Sequence, residues 1–83
     1  MRNDAKQVVT ANDLQLRVGR AISAVRKARA MTQEELANRA GIGWRHVQKI
    51  EAGEINTTLR TICRIAVVLG VDPVKLFQEG DLI

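Results

Sequence analysis

The chain has 83 residues, 46% of them hydrophobic and 27% charged, with a formal net charge of +4. That length predicts one small domain, and that mixture excludes the low-hydrophobicity, high-charge profile of a disordered chain. A single cysteine, Cys63, excludes an internal disulfide framework and a Cys-rich zinc site. Trp44 and Phe77, the only aromatic residues, are too few to build the stacking platforms that bind single strands or RNA, or a sugar cleft.

The charge is unevenly placed. Residues 1–30 carry seven basic and two acidic groups, residues 31–53 three of each, and residues 54–83 three basic and four acidic. An excess of positive charge points to a polyanionic partner. The first 30 residues hold no uninterrupted apolar run of the kind a secretory signal needs, and the longest apolar run, Ile65 to Leu69, is far too short to span a membrane. A cytoplasmic location, without membrane contact, is the expectation.

Residues 1–12 have no strong period and read as a flexible N-terminal arm. A first helix is expected from Asn12 or Asp13, either of which can cap it. Leu14, Val18, Ala21, Ile22 and Val25 form its apolar stripe, and the basic run Arg26-Lys27-Arg29 reads as its solvated end. Thr32-Gln33-Glu34-Glu35 has the spacing of a capping box and opens a second helix, which Gly41 ends. A third runs from about Trp44 to Ala52, with Val47 and Ile50 inward. Thr57 or Thr58 caps a fourth, whose stripe is Leu59, Ile62, Cys63, Ala66 and Leu69. Asp72-Pro73 opens a fifth, short helix to about Gln78, which inserts Leu76 with Phe77 beside it. Residues 13–79 thus form an all-α domain of five helices, followed by a tail at 80–83. Phe77, Leu82 and Ile83 suit core, a free end or a subunit contact.

Gln33 to Ile50 is the informative segment. Ala37 is followed four residues later by Gly41, six later by Val47 and three later by Ile50. A small residue at Ala37 lets two helices cross closely, and Gly41 permits the positive φ of a tight turn between them. With Ile42, Val47 and Ile50 inward, the third helix is left to present Trp44, Arg45, His46, Gln48 and Lys49. These are donors and one flat ring, with no acid before Glu51. Such a surface suits base edges and phosphates. The ordinary alternatives are a Trp44 packed at the core edge and a solvated Arg45 and Lys49.

The chain resembles the Cro/C1-type (XRE-like) helix-turn-helix regulators of phages and bacteria. The resemblance is carried by Val18-Gly19, Ile22, Arg26, Met31 to Ala37, Ala40-Gly41-Ile42, Val47, Ile50-Glu51, Gly53, Leu59, Ile62, Ala66 and Leu69-Gly70-Val71, over about residues 14–78. It implies a compact lambda-repressor-like fold with helices 2 and 3 as the helix-turn-helix. It also implies double-stranded DNA as partner, read as a palindromic operator by a homodimer with helix 3 in the major groove. Trp44, Arg45 and Lys49 match the base-reading positions, with His46 and Gln48 beside them. Gln33 matches a phosphate anchor, next to Thr32 at the helix 2 N-terminus. Asn56, Thr57 and Arg60 are further phosphate candidates. Arg26 and Glu51 match a structural ion pair.

Three positions depart from the pattern. Ala30 stands where glycine is frequent after helix 1, predicting a strained or reshaped joint. Glu54 and Ile55 replace basic or polar loop residues, and Thr57 replaces a proline, so the loop after helix 3 is expected to bind phosphate less than in relatives.

A bacterial or phage regulator, repressor or autoregulator in type, is the implied function. With no sensor domain expected in 83 residues, control falls to concentration, dimerisation or a partner. A protein-interaction module of the same fold, antitoxin-like or a coregulator, is the alternative, and Glu54 beside the reading surface speaks for it. An enzyme is not expected. His46 has no Asp, Ser or Cys at a catalytic spacing and no second metal ligand, and there is no glycine-rich phosphate loop. No cofactor, metal or small-molecule ligand is implied. Cys63 reads as a small hydrophobe.

Overall fold

The structure is a computed structural model that describes residues 9–79. Its helices are α1 (Ala11–Ala28), α2 (Gln33–Ala40), α3 (Trp44–Glu51), α4 (Leu59–Leu69) and α5 (Pro73–Glu79). Of the expected arm, residues 1–8 lie outside the described residues, as does the tail 80–83 with Leu82 and Ile83.

Helix α1 starts two residues earlier than the sequence suggested. Thr10, not Asn12 or Asp13, is its N-cap: Thr10 Oγ1 accepts the Asp13 backbone N–H at 3.1 Å. Asp13 thereby falls in the first turn, where a carboxylate favours the positive end of the helix dipole. The capping box of α2 forms as spaced. Thr32 Oγ1 accepts the Glu35 N–H at 3.0 Å and Glu35 Oε1 accepts the Thr32 N–H at 2.8 Å. Thr58, rather than Thr57, caps α4 by accepting the Thr61 N–H.

The first four helices end in the same way. Within two residues of each helix end the chain enters left-handed backbone, and two hydrogen bonds close the turn, as in a Schellman motif. For α2 these run from Ile42 N–H to Ala37 C=O and from Gly41 N–H to Asn38 C=O. The left-handed residue is Gly41 (φ +70°), Gly53 (φ +70°) and Gly70 (φ +72°) after α2, α3 and α4, but Ala30 (φ +54°) after α1. The strain expected at Ala30 has this physical form: a Cβ held where three equivalent positions have none.

The core draws on every helix. It is built from Val18, Ala21 and Ile22, then Met31, Leu36, Ala37 and Ala40, then Val47 and Ile50, then Ile62, Ile65, Ala66 and Leu69, and Leu76. Burying a side chain such as Ile22, fully enclosed here, is worth about 1.5–3 kcal/mol. Helix α2 packs on α3 and α4, and α1 packs on α3 and α5. Where α1 crosses α3, Gly19 sits against main chain: a Cβ there would overlap the Ile50 carbonyl oxygen and come within 2.9 Å of that of Glu51.

Three apolar residues assigned to stripes are not core. Leu14 is 37% and Leu59 70% exposed, and Cys63 is exposed. Ile65 completes the inner face of α4 instead, with Ile62, Ala66 and Leu69. At about 100° per residue, Cys63 points roughly 110° away from the centre of that group. Leu14, Leu59, Ile55 and the half-buried Phe77 line a shallow apolar groove of about 250 Å³ between the ends of α1, α4 and α5.

Candidate nucleic-acid interface

Helix α3 turns Val47 and Ile50 inward and leaves Arg45, Gln48 and Lys49 exposed, with Trp44 at its first turn 46% exposed. No acidic residue lies in that first turn, and the N-cap, Gly43, supplies no side-chain hydrogen bond. The first N–H groups of α3 therefore keep their positive character beside Trp44 and Arg45.

His46 differs from its neighbours. It is half-buried, and its Nε2 lies 3.0 Å from Thr57 Oγ1 in the loop that follows α3. That loop is anchored at two further points: Gln15 Nε2 donates to the Gly53 carbonyl at 3.4 Å, and Ile55 packs against the core. Asn56 and Arg60 are exposed and Thr57 is half-buried.

Behind α3 lies a hub at Glu51. Arg26 Nε donates to Glu51 Oε2 at 2.7 Å and Arg26 Nη2 to Oε1 at 2.9 Å, a bidentate pair joining α1 to the end of α3. The Arg26 and Glu51 side chains are 10% and 6% exposed. Arg26 Nη1 also donates to the Met31 carbonyl at 2.7 Å, and Gln33 Nε2 donates to Glu51 Oε1 at 3.0 Å. The hydrogen bond to Glu51 raises the Arg26 pKa above its ordinary value, against the opposing effect of burial. In the capping box, the Thr32 backbone N–H holds the Glu35 carboxyl below the usual carboxylate range.

Thr32 and Gln33 stand at the N-terminus of α2, with Thr32 Oγ1 in its cap and the Gln33 amide on Glu51. The basic end of α1 is not a solvated run. Arg26 is buried, and Arg29 Nε donates to the Leu69 carbonyl at 2.7 Å, closing the C-terminal end of α4, while Lys27 is exposed. The contacts at Met31, Leu69 and Gly53 all end on main-chain carbonyls, which every residue carries, so no residue type announced them. Among the described residues no cluster of three His, Cys, Asp or Glu side chains could hold a metal ion. No described helix is long and apolar enough to cross a membrane.

The helix-turn-helix family HTH_3 matches residues 22–76. A Sinorhizobium fredii protein, an uncharacterized HTH-type transcriptional regulator, is 32% identical over 69 residues, which cover 83% of this chain and 90% of that protein. The immunity repressor protein of Bacillus phage phi105 is 35% identical over 66 residues, 80% of this chain but 46% of the repressor. Among solved structures, the restriction-modification controller protein C.AhdI from Aeromonas hydrophila superposes with a TM-score of 0.73 at 29% identity, over 75% of this chain and 94% of that one. Five helices in this order, an outward donor-rich α3 and a match across most of the core place the chain in the helix-turn-helix (XRE-type) family of DNA-binding transcriptional regulators.

Proposed function

We propose that the chain is a sequence-specific repressor or autoregulator that lays α3 in the major groove of a palindromic operator. The observation that carries this is the set of Trp44, Arg45, Gln48 and Lys49, exposed together on one short helix whose opposite face is locked into the core. Arg45 or Lys49 reads a guanine edge, Gln48 an adenine edge, and Trp44 packs on a thymine methyl. The N-terminus of α2, with Thr32 and Gln33, faces phosphate on one side of the groove. Asn56, Thr57 and Arg60 face it on the other.

A homodimer on two half-sites about 34 Å apart fits this reading. Leu59, Val67 and Val74 are exposed at 70%, 80% and 57%, which gives a second copy apolar surface to cover. The phi105 protein is an immunity repressor, which supports a repressor of bacterial or phage origin that acts in the cytoplasm, at the nucleoid.

The test is selection from a random duplex library with the purified chain and with Arg45→Ala and Lys49→Ala. A two-fold symmetric consensus, with each variant losing preference at its own base pair, is the expected result. No enriched sequence from the wild-type chain overturns the reading.

A further inference from the structure

We propose that His46 is a positioning residue for a phosphate contact made by Thr57, and not a base reader. This rests on the reading of α3 as the helix in the groove. Among the described residues of α3, His46 is the one whose side chain hydrogen-bonds the following loop: its Nε2 lies 3.0 Å from Thr57 Oγ1. It is half-buried, whereas Arg45, Gln48 and Lys49 are exposed.

The chemistry of the pair selects one arrangement once DNA is bound. A hydroxyl has a single proton to give and two lone pairs to accept with. If Thr57 donates to a bare Nε2, it has no proton left for a phosphate oxygen. If His46 carries its proton on Nε2 and donates it to Thr57 Oγ1, the Thr57 O–H is free to donate onward. The chain is then imidazole N–H to hydroxyl O–H to phosphate oxygen, each bond polarising the next. A phosphate, acceptor only, favours that tautomer.

The loop is built to hold Thr57 still for this purpose. Gly53 is tied to α1 through Gln15, and Ile55 is packed against the core. The bond from His46 fixes the remaining point to the reading helix itself. The distance between base contacts on α3 and the backbone contact on the loop is thereby set by one side chain.

The probe is the duplex selected by the wild-type chain. A second series carries one methylphosphonate, an uncharged backbone group, at each phosphate in turn. His46→Ala and Thr57→Val are each expected to weaken binding about tenfold per half-site, the size of one hydrogen bond to a charged group. The double variant should lose no more than either single, and base preference should be unchanged. Gln carries an amide nitrogen at the reach of Nε2 and Asn carries one at the reach of Nδ1. His46→Gln should therefore restore binding and His46→Asn should not. One phosphate whose neutralisation weakens the wild-type complex should be silent in both His46→Ala and Thr57→Val. Urea unfolding of each variant sets conditions in which all are folded.

Additive losses, a methylphosphonate pattern unchanged in the variants, or loss of preference at a single base pair in His46→Ala would overturn the proposal. If Arg45→Ala and Lys49→Ala also leave binding untouched, the reading of α3 falls with it. If they weaken binding while His46 and Thr57 do not, only the positioning role falls.

Discussion

Replacing Ala30 with glycine should stabilise the protein. Ala30 holds a φ of +54° at the end of α1, is exposed, and its N–H donates to the Lys27 carbonyl at 2.9 Å while the next N–H, of Met31, donates to Arg26 at 3.1 Å. Glycine keeps both bonds and gives up no buried methyl. Left-handed backbone costs an L-residue about 1–2 kcal/mol. Against this, glycine frees the unfolded chain, which costs about 0.4–1 kcal/mol. The difference favours Ala30→Gly by about 0.5–1 kcal/mol, or about 2–8 °C in melting temperature for a domain of this size. The assay is urea and thermal unfolding followed by far-ultraviolet circular dichroism, with the urea slope unchanged. Gly41→Ala and Gly70→Ala are the matched controls. Both glycines have φ near +70°, and an added Cβ at either meets nothing within 4 Å, so each isolates the backbone cost and should lose about what Ala30→Gly gains. Gly53 is no control, because a Cβ there would lie 2.6 Å from Leu16 Cδ2. An unchanged or lower midpoint for Ala30→Gly, with the two controls destabilised, would refute the claim that Ala30 is strained.

Gly19→Ala drives a methyl into the carbonyls of Ile50 and Glu51, which are main chain and cannot rotate away. The urea midpoint should fall by an amount equivalent to about 1–3 kcal/mol or more. Glu51→Ala strands a buried guanidinium and should cost about 3–5 kcal/mol, whereas the double change Arg26→Met with Glu51→Leu should cost much less. Comparable losses in the two would show that the buried charge is not the cause. Glu35, with a folded-state pKa below its unfolded value, stabilises the chain above the unfolded carboxylate range and loses that contribution as pH falls through the lower, folded value. The difference in melting temperature between wild type and Glu35→Ala should hold steady from pH 7 to about pH 5 and shrink at lower pH. A difference that grows on acidification would reverse the sign of the shift.

Where the sequence was legible, a residue type had a single local use. Thr32 and Glu35 at a spacing of three form the capping box that spacing demands, and Gly41 and Gly70 end helices. Helix α4 shows the limit. It has eight apolar residues among its eleven, counting Cys63, so an inner face of Ile62, Ile65, Ala66 and Leu69 and an outer line of Leu59, Cys63 and Val67 are both at helical spacing. Only the packing of α1, α2 and α5 decides which is buried. Arg29 looked solvated because its acceptor, the Leu69 carbonyl, is forty residues away and has no side-chain signature. In the candidate interface, the sequence offers His46 and Thr57 as separate contacts. What the residues did not reveal was that the fold brings them together.

The enclosure of the Arg26–Glu51 pair has a practical consequence for ionic strength. Mobile ions screen charges that face water and act much less on a pair whose side chains are 10% and 6% exposed. The phosphate contacts proposed for exposed side chains such as Arg60 should, by contrast, weaken steeply as salt rises. Moderate salt should therefore release nucleic acid while the joint between α1 and α3 stays closed. A purification that strips bound DNA in this way should return a chain with α3 still set, ready for the next duplex when the salt is lowered.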